Sequence, residues 1–194
     1  MVSVKPVLRR DAQRNRDRIL DAACRCFAAR GLDIGVDEIA HSAGVGVGTL
    51  YRRFPSKASL IQAILERRLD ELQPTIDRAL RDEDPWSGLS SLVTAMVAQQ
   101  IADRGLSQML LLRLPPDALP EPTRRRFLAP LERLLARAQR AGRARADVGA
   151  RDLPAILRMA SALALRAEEA GDWRRHVRVL LDGLAARAER PAAG

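Results

Sequence analysis

Lys57 follows Pro55 and Ser56, so it falls in the first turn of a helix that Ser56 can cap, where a positive side chain opposes the helix dipole by roughly 0.3–1 kcal/mol. Bare N–H groups, the dipole and an ammonium together make an anion site. The alternative is a lysine that swings into solvent. Just upstream, the run from Val36 to Leu60 sets two short amphipathic stretches about a glycine. Ile39 and Ala43 lie four apart on one face of the first stretch, Gly44 stands where a helix takes a left-handed stop, and Leu50 and Phe54 repeat the spacing on the second. Helices of about two turns cannot stand alone and must lean on a neighbour. Ala40, on the inner side, is small enough to let two helices cross closely, as a helix-turn-helix requires. A helical hairpin in an ordinary core shares this spacing; the cation on the third helix adds an anionic partner, and the backbone of DNA is the anion that such a motif meets.

Covalent chemistry has little to work with. His41 and His176 are the only imidazoles, both on charged or polar predicted faces, and no Ser/His/Asp, metal-ligand or phosphate-loop spacing occurs. No catalytic residue, metal site or cofactor is expected. Cys24 and Cys26 are two apart on one helix and point to different faces, so they can neither bridge nor chelate without unwinding it. Cys26 shares a face with Ile19, Ala22 and Ala23 and reads as a small core residue, while Cys24 is either an inert surface thiol or a redox sensor.

The elements that must position these groups are all helices. A first helix should run from Asp11 to Arg30, with Ile19, Ala23, Cys26 and Phe27 as its inner stripe and Gly31 as its stop. A fourth should leave Ser56, pass Ile61, Ile64, Leu65, Leu69 and Leu72, and kink at Pro74. Further helices are expected from Trp86 to near Gly105, from Met109 to Leu114 before the loop at Pro115 and Pro116, and from Thr123 to Ala141, with Gly142 as the stop. Two more follow, from Asp152 to Ala170 and from Trp173 to Arg190, separated by Gly171 and Asp172. The fold class is therefore all-α with about nine helices. Its expected parts are a flexible basic arm over residues 1–10, a three-helix helix-turn-helix domain over 11–57, a helical domain over 58–190 and a disordered tail over 191–194.

Composition agrees. With 47% hydrophobic residues and only 3% aromatic, Ala and Leu must do most of the packing, which favours close-approaching helices over sheets. The net charge is +9, of which residues 1–57 carry +5, with 11 Lys or Arg against 6 acids. Arg9, Arg10, Arg14, Arg16 and Arg18 form an arm that can follow phosphates or enter a minor groove, or else a solvated tail. The N-terminus lacks a secretory apolar stretch and no window approaches a membrane span, so a cytoplasmic protein with no membrane partner is expected.

Arg18-Ile19-Leu20-Asp21-Ala22-Ala23, Phe27, Gly31, Ile39-Ala40, Ala43-Gly44-Val45, Gly48-Thr49-Leu50-Tyr51, Phe54-Pro55-Ser56-Lys57 and Leu60 together resemble the N-terminal domain of TetR-type transcriptional regulators. The resemblance implies that residues 45–51 form the turn and recognition helix, with Tyr51, Arg53 and Lys57 at positions that touch phosphate. Two departures matter. Gly35 and Gly46 stand where hydroxyl residues are common, which removes donors to phosphate and leaves more of the backbone contact to basic side chains. Arg53 replaces a frequent His or Tyr with a permanent charge. Arg18 and Gly46 complete the expected phosphate set, and Val47, Thr49 and Arg52 are the expected base readers: the first two suit a thymine methyl or a base edge, the third guanine.

In the second domain, Ala138-Gln139-Arg140-Ala141-Gly142, Ala146-Asp147 and Leu181-Asp182-Gly183-Leu184 are similar to the effector and dimerisation domain of a TetR subgroup. That similarity implies a small-molecule effector between helices, and Met96, Gln100, Met109, Phe127 and Met159 suit an adaptable apolar cavity with one polar group. The broad apolar faces of the last two helices suggest a homodimer through Leu157, Ala160, Ala164, Val177, Leu181 and Leu184. The expected function is a regulator, by family default a repressor, released by its effector from a palindromic double-stranded operator. The competing readings are a ligand-independent DNA-packaging protein and a helical enzyme.

Overall fold

The computed structural model describes residues 4–102, 120–166 and 173–186, with side chains described from Asp11 onward and, in the helix that ends at Arg166, as far as Ala162. The described residues form eight helices and no strand: α1 (Val4–Arg30), α2 (Val36–Ala43), α3 (Val47–Arg53), α4 (Lys57–Arg81), α5 (Pro85–Ala102), α6 (Glu121–Arg140), α7 (Leu153–Arg166) and α8 (Trp173–Asp182). The expected short helix from Met109 to Leu114, its Pro115-Pro116 loop, the stop at Gly105, the Gly171-Asp172 turn and the tail lie outside the described residues. No described helix is long and apolar enough to cross a membrane.

Helix α1 begins at Val4, seven residues ahead of the expected Asp11, so most of the supposed arm is helical. Nothing between Val4 and Asp11 breaks a helix, because Pro6 falls in the first turn, where its missing N–H has no intrahelical partner to lose. Helix α4 runs unbroken through Pro74, which lies on the exposed side where the freed carbonyl can be hydrated.

The chain divides into two compact units, and the boundary falls at Arg68–Leu69, inside α4, rather than at its start. Leu60, Ala63 and Ile64 explain the position: the first turns of α4 are buried in the same core as Ile19, Leu20 and Phe27 of α1, Ile39 of α2 and Leu50 of α3. Cys24 and Cys26 are both half-buried against that core.

The second unit packs Leu72 and Ile76 of α4, Leu92 and Met96 of α5, Leu131 and Leu134 of α6, and the inner faces of α7 and α8. Asp84 caps α5, accepting from Trp86 N at 3.0 Å, and Pro85 takes the first helical position. Four residues on, Gly88 lets α4 and α5 approach so closely that a Cβ there would stand 2.4 Å from Ala79 O. Arg137 of α6 donates to Leu80 O and Asp82 O, each at 2.7 Å, and so satisfies carbonyls at the end of α4.

Helix α8 stops at Asp182, short of the expected Arg190. Beyond Gly183 the backbone pairs with the loop after α6 instead: Arg145 N donates to Leu184 O at 3.0 Å and Ala186 N to Arg143 O at 2.9 Å, around an isolated antiparallel bridge between Ala144 and Ala185. Gln139 holds that loop, donating to Arg145 O and Val148 O at 3.0 and 2.7 Å. Residues 143–145 and 184–186 are thus a clasp between the ends of α6 and α8.

Candidate nucleic-acid interface

Local chemistry fixes the turn between α2 and α3. Gly44 takes φ 65°, and the Gly44 and Val45 N–H groups donate to His41 O and Ala40 O, both at 3.0 Å, closing α2 and redirecting the chain. Gly35 and Gly46 are extended N-caps with no side-chain cap bond, as their lack of a hydroxyl dictates. At the start of α4, Ser56 and Ser59 cap each other reciprocally, each hydroxyl accepting from the other's backbone N–H at 3.1 Å.

Only Leu50 of α3 is buried. At about 100° per residue, Gly48 and Arg52 lie opposite Leu50, with Val47 and Tyr51 on one flank and Thr49 and Arg53 on the other. Val47 is 39% and Tyr51 45% exposed, Arg52 is exposed, and Thr49 is half-buried. Gly48 is a residue to which sequence reasoning attached no role. A Cβ there would meet no atom within 4 Å, so neither packing nor φ demands a glycine inside this helix. The signal was available, because a helix-interior glycine costs about 1 kcal/mol.

The expected phosphate cations are already engaged within the protein. Arg18 Nη2 donates to Ala43 O at 2.8 Å, Arg53 Nη2 to Ala12 O at 2.8 Å, and the half-buried Lys57 Nζ to Leu32 O at 2.7 Å. The last bond is a reason for a cation in the first turn of α4 that neither sequence alternative contained. Gly46 and Tyr51 remain exposed, while Arg9 and Arg10 lie outside the described side chains. Cys24 accepts from Arg67 Nη2 at 3.6 Å, and burial pushes its thiol above the ordinary value of 9.0 despite that guanidinium, which disfavours the thiolate a sensor needs.

In the second unit the expected residues separate. Met96 is buried and Phe127 half-buried in one core, but Met159 is 50% exposed and cannot line an interior cavity with them. Met109 lies outside the described residues. Gln100 Oε1 is buried without a hydrogen-bond partner among the described residues, and so is His176 Nδ1. The sequence put His176 on a polar face; it instead follows Trp173 by three residues and precedes Val177, at the margin of the buried stripe of α8. His41 is exposed.

The dimer residues are likewise inverted. Leu157, Ala160, Val177 and Leu181 are at most 6% exposed in the single chain, and Leu184 packs on the same core. They form the inner faces of α7 and α8 and are closed to a partner; the Ala164 side chain lies outside the described set. Among the described residues, the large apolar side chains left exposed are Val47 and Tyr51 on α3 and Met159 and Val179 on α7 and α8.

The family profile described as "Bacterial regulatory proteins, tetR family" matches residues 19–64, and that described as "Transcriptional regulator SbtR-like, C-terminal domain" matches residues 84–186. A TetR transcription regulatory protein from Mycobacterium vanbaalenii is 40% identical, with 92% of this chain and 99% of that one covered and a TM-score of 0.57. A TetR transcriptional regulator from Streptomyces coelicolor is 30% identical over 89% of this chain and 99% of its own, with a TM-score of 0.59. An HTH-type transcriptional regulator from Staphylococcus aureus (strain USA300) is 41% identical over 64 residues, which span 32% of this chain and 35% of that relative.

Proposed function

Since this chain belongs to the TetR family of transcriptional regulators, we propose that it acts in the cytoplasm as a homodimeric repressor that an effector releases from a near-palindromic operator. The observation that carries this reading is the pairing of exposed apolar side chains: Val47 and Tyr51 on the recognition helix, Met159 and Val179 on the last two helices. A helix with one buried residue and an aromatic in solvent suits a groove, and an outward Met and Val suit a second copy.

On DNA, Arg52 would read guanine and Val47 and Thr49 a thymine methyl or base edge, while Tyr51, the Gly46 N–H and Lys57 meet phosphate. Lys57 keeps two ammonium protons beyond the one given to Leu32. Gly48, opposite Leu50, would let the α3 backbone approach the duplex. A dimer would hold two such helices about 34–36 Å apart, one turn of B-DNA.

In the second unit Gln100 Oε1 and His176 Nδ1, which lack a hydrogen-bond partner among the described residues, would supply polar contacts to the effector, since an enclosed polar atom without a partner costs about 1–3 kcal/mol and a complementary ligand group would recover it. Binding would reorient α4 and uncouple the two recognition helices, for which a coupling of about 1–3 kcal/mol suffices. The decisive experiment is selection of duplexes from a random pool by the full chain, followed by footprinting of the recovered sequence. A short protected palindrome supports the reading; uniform coverage refutes it. Val179→Asp with Met159→Glu should give monomers by sedimentation, and a persistent dimer would move the interface elsewhere.

A further inference from the structure

Resting on the DNA-binding reading, we infer that Arg18 and Arg53 are positioning residues that pin the α2–α3 turn and the far end of α3 to α1 and supply no phosphate contact. Arg18 leaves α1 to reach Ala43 O, the last carbonyl of α2 and the entrance to the turn, at 2.8 Å. A Cβ on Gly44 would stand 3.0 Å from that same Nη2, so this glycine both turns the chain and leaves room for the guanidinium. At the other end Arg53, the final residue of α3, returns its Nη2 to Ala12 O of α1 at 2.8 Å. One tie therefore holds the entry to the turn that precedes α3 and the other the last residue of α3, and both run to α1.

Both bonds are charge-assisted, and that to Ala43 O also sits at the negative end of the α2 dipole. Ala12 O retains a second lone pair beside its helical bond. Leu50 is the one buried residue within α3, and a short helix anchored so narrowly can roll about its axis. Roll is the coordinate that recognition cannot tolerate, because a rotation of α3 moves Arg52 and Thr49 off the base edges they face. Guanidiniums committed to carbonyls at the turn and at the far end of α3 hold that angle before DNA arrives.

The test uses the full chain with Arg18→Gln and Arg53→Gln, well below the melting temperature. Three readouts are taken: amide exchange without DNA, the salt dependence of binding to a random-sequence duplex, and preference for the duplex selected by the unsubstituted protein. Exchange through α3 should quicken about ten-fold. The salt slope should stay unchanged while preference for the selected duplex falls, and Arg53→Lys should restore part of both the protection and the preference. A slope smaller by roughly 0.9 per substitution assigns the residue to phosphate and overturns the inference, as does unaltered exchange. If the unsubstituted protein selects no duplex, DNA recognition itself fails, and the DNA-free exchange still decides whether the ties hold α3.

Discussion

In the N-terminal unit, the polar groups at helix ends find partners inside the fold: Ser56 and Ser59 cap each other, Gly44 closes α2, and three cations end on backbone carbonyls. The C-terminal unit has such ties too, at Arg137 and Gln139, yet it also encloses Gln100 Oε1 and His176 Nδ1 with no hydrogen-bond partner among the described residues. The first unit commits its cations to carbonyls, leaves the Gly35 and Gly46 caps without a side-chain bond and turns an almost bare helix outward. An enclosed polar atom of the second unit costs stability unless water or another group meets it. On the proposed function, the first unit would present α3 to DNA and the second would receive the effector.

The contrast can be broken most strongly at the α4–α5 crossing. Gly88→Val places branched carbon against the Ala79 carbonyl and should cost at least about 3 kcal/mol. Calorimetry should show the C-terminal unit melting early while amide protection around Leu50 and Ile64 persists; joint loss would mean the units are held as one. Arg52→Ala should lower affinity for the selected duplex by about 1–3 kcal/mol and relax preference at one base pair, with little change in melting temperature. Equal weakening on all sequences would make Arg52 a backbone contact. Lys57→Met should lower stability by about 1 kcal/mol through the orphaned Leu32 carbonyl and also flatten the salt slope by roughly 0.9, which sets it apart from Arg18 and Arg53. The smallest effect has the opposite sign. Gly48→Ala should stabilise the fold by about 0.5–1 kcal/mol while weakening DNA binding, and unchanged binding would remove the backbone approach from the interface.

Much of the first unit was legible because its function fixes residue types at fixed intervals. Gly31, Gly44 and the Ser56 cap all fall where the sequence placed them. What it hid was the destination of the cations, since a carbonyl 25 residues away leaves no mark in spacing. In the second unit the helices were visible but their orientation was not. An apolar stripe announces that a face will be buried and is silent about whether the partner is the same chain, so Leu157, Val177 and Leu181 were read as an interface when they are core. Met159 was misplaced for the matching reason: residue type alone cannot tell an inward thioether from an outward one. The early end of α8 was hidden as well, because Leu184 to Ala186 have good helix propensity and are drawn off by pairing with 143–145.

Arg53 carries one more consequence. A guanidinium offers five donors in one planar fork, so a small displacement of the Ala12 carbonyl leaves another N–H within reach. The bearing of the third helix should therefore survive slight breathing of the first.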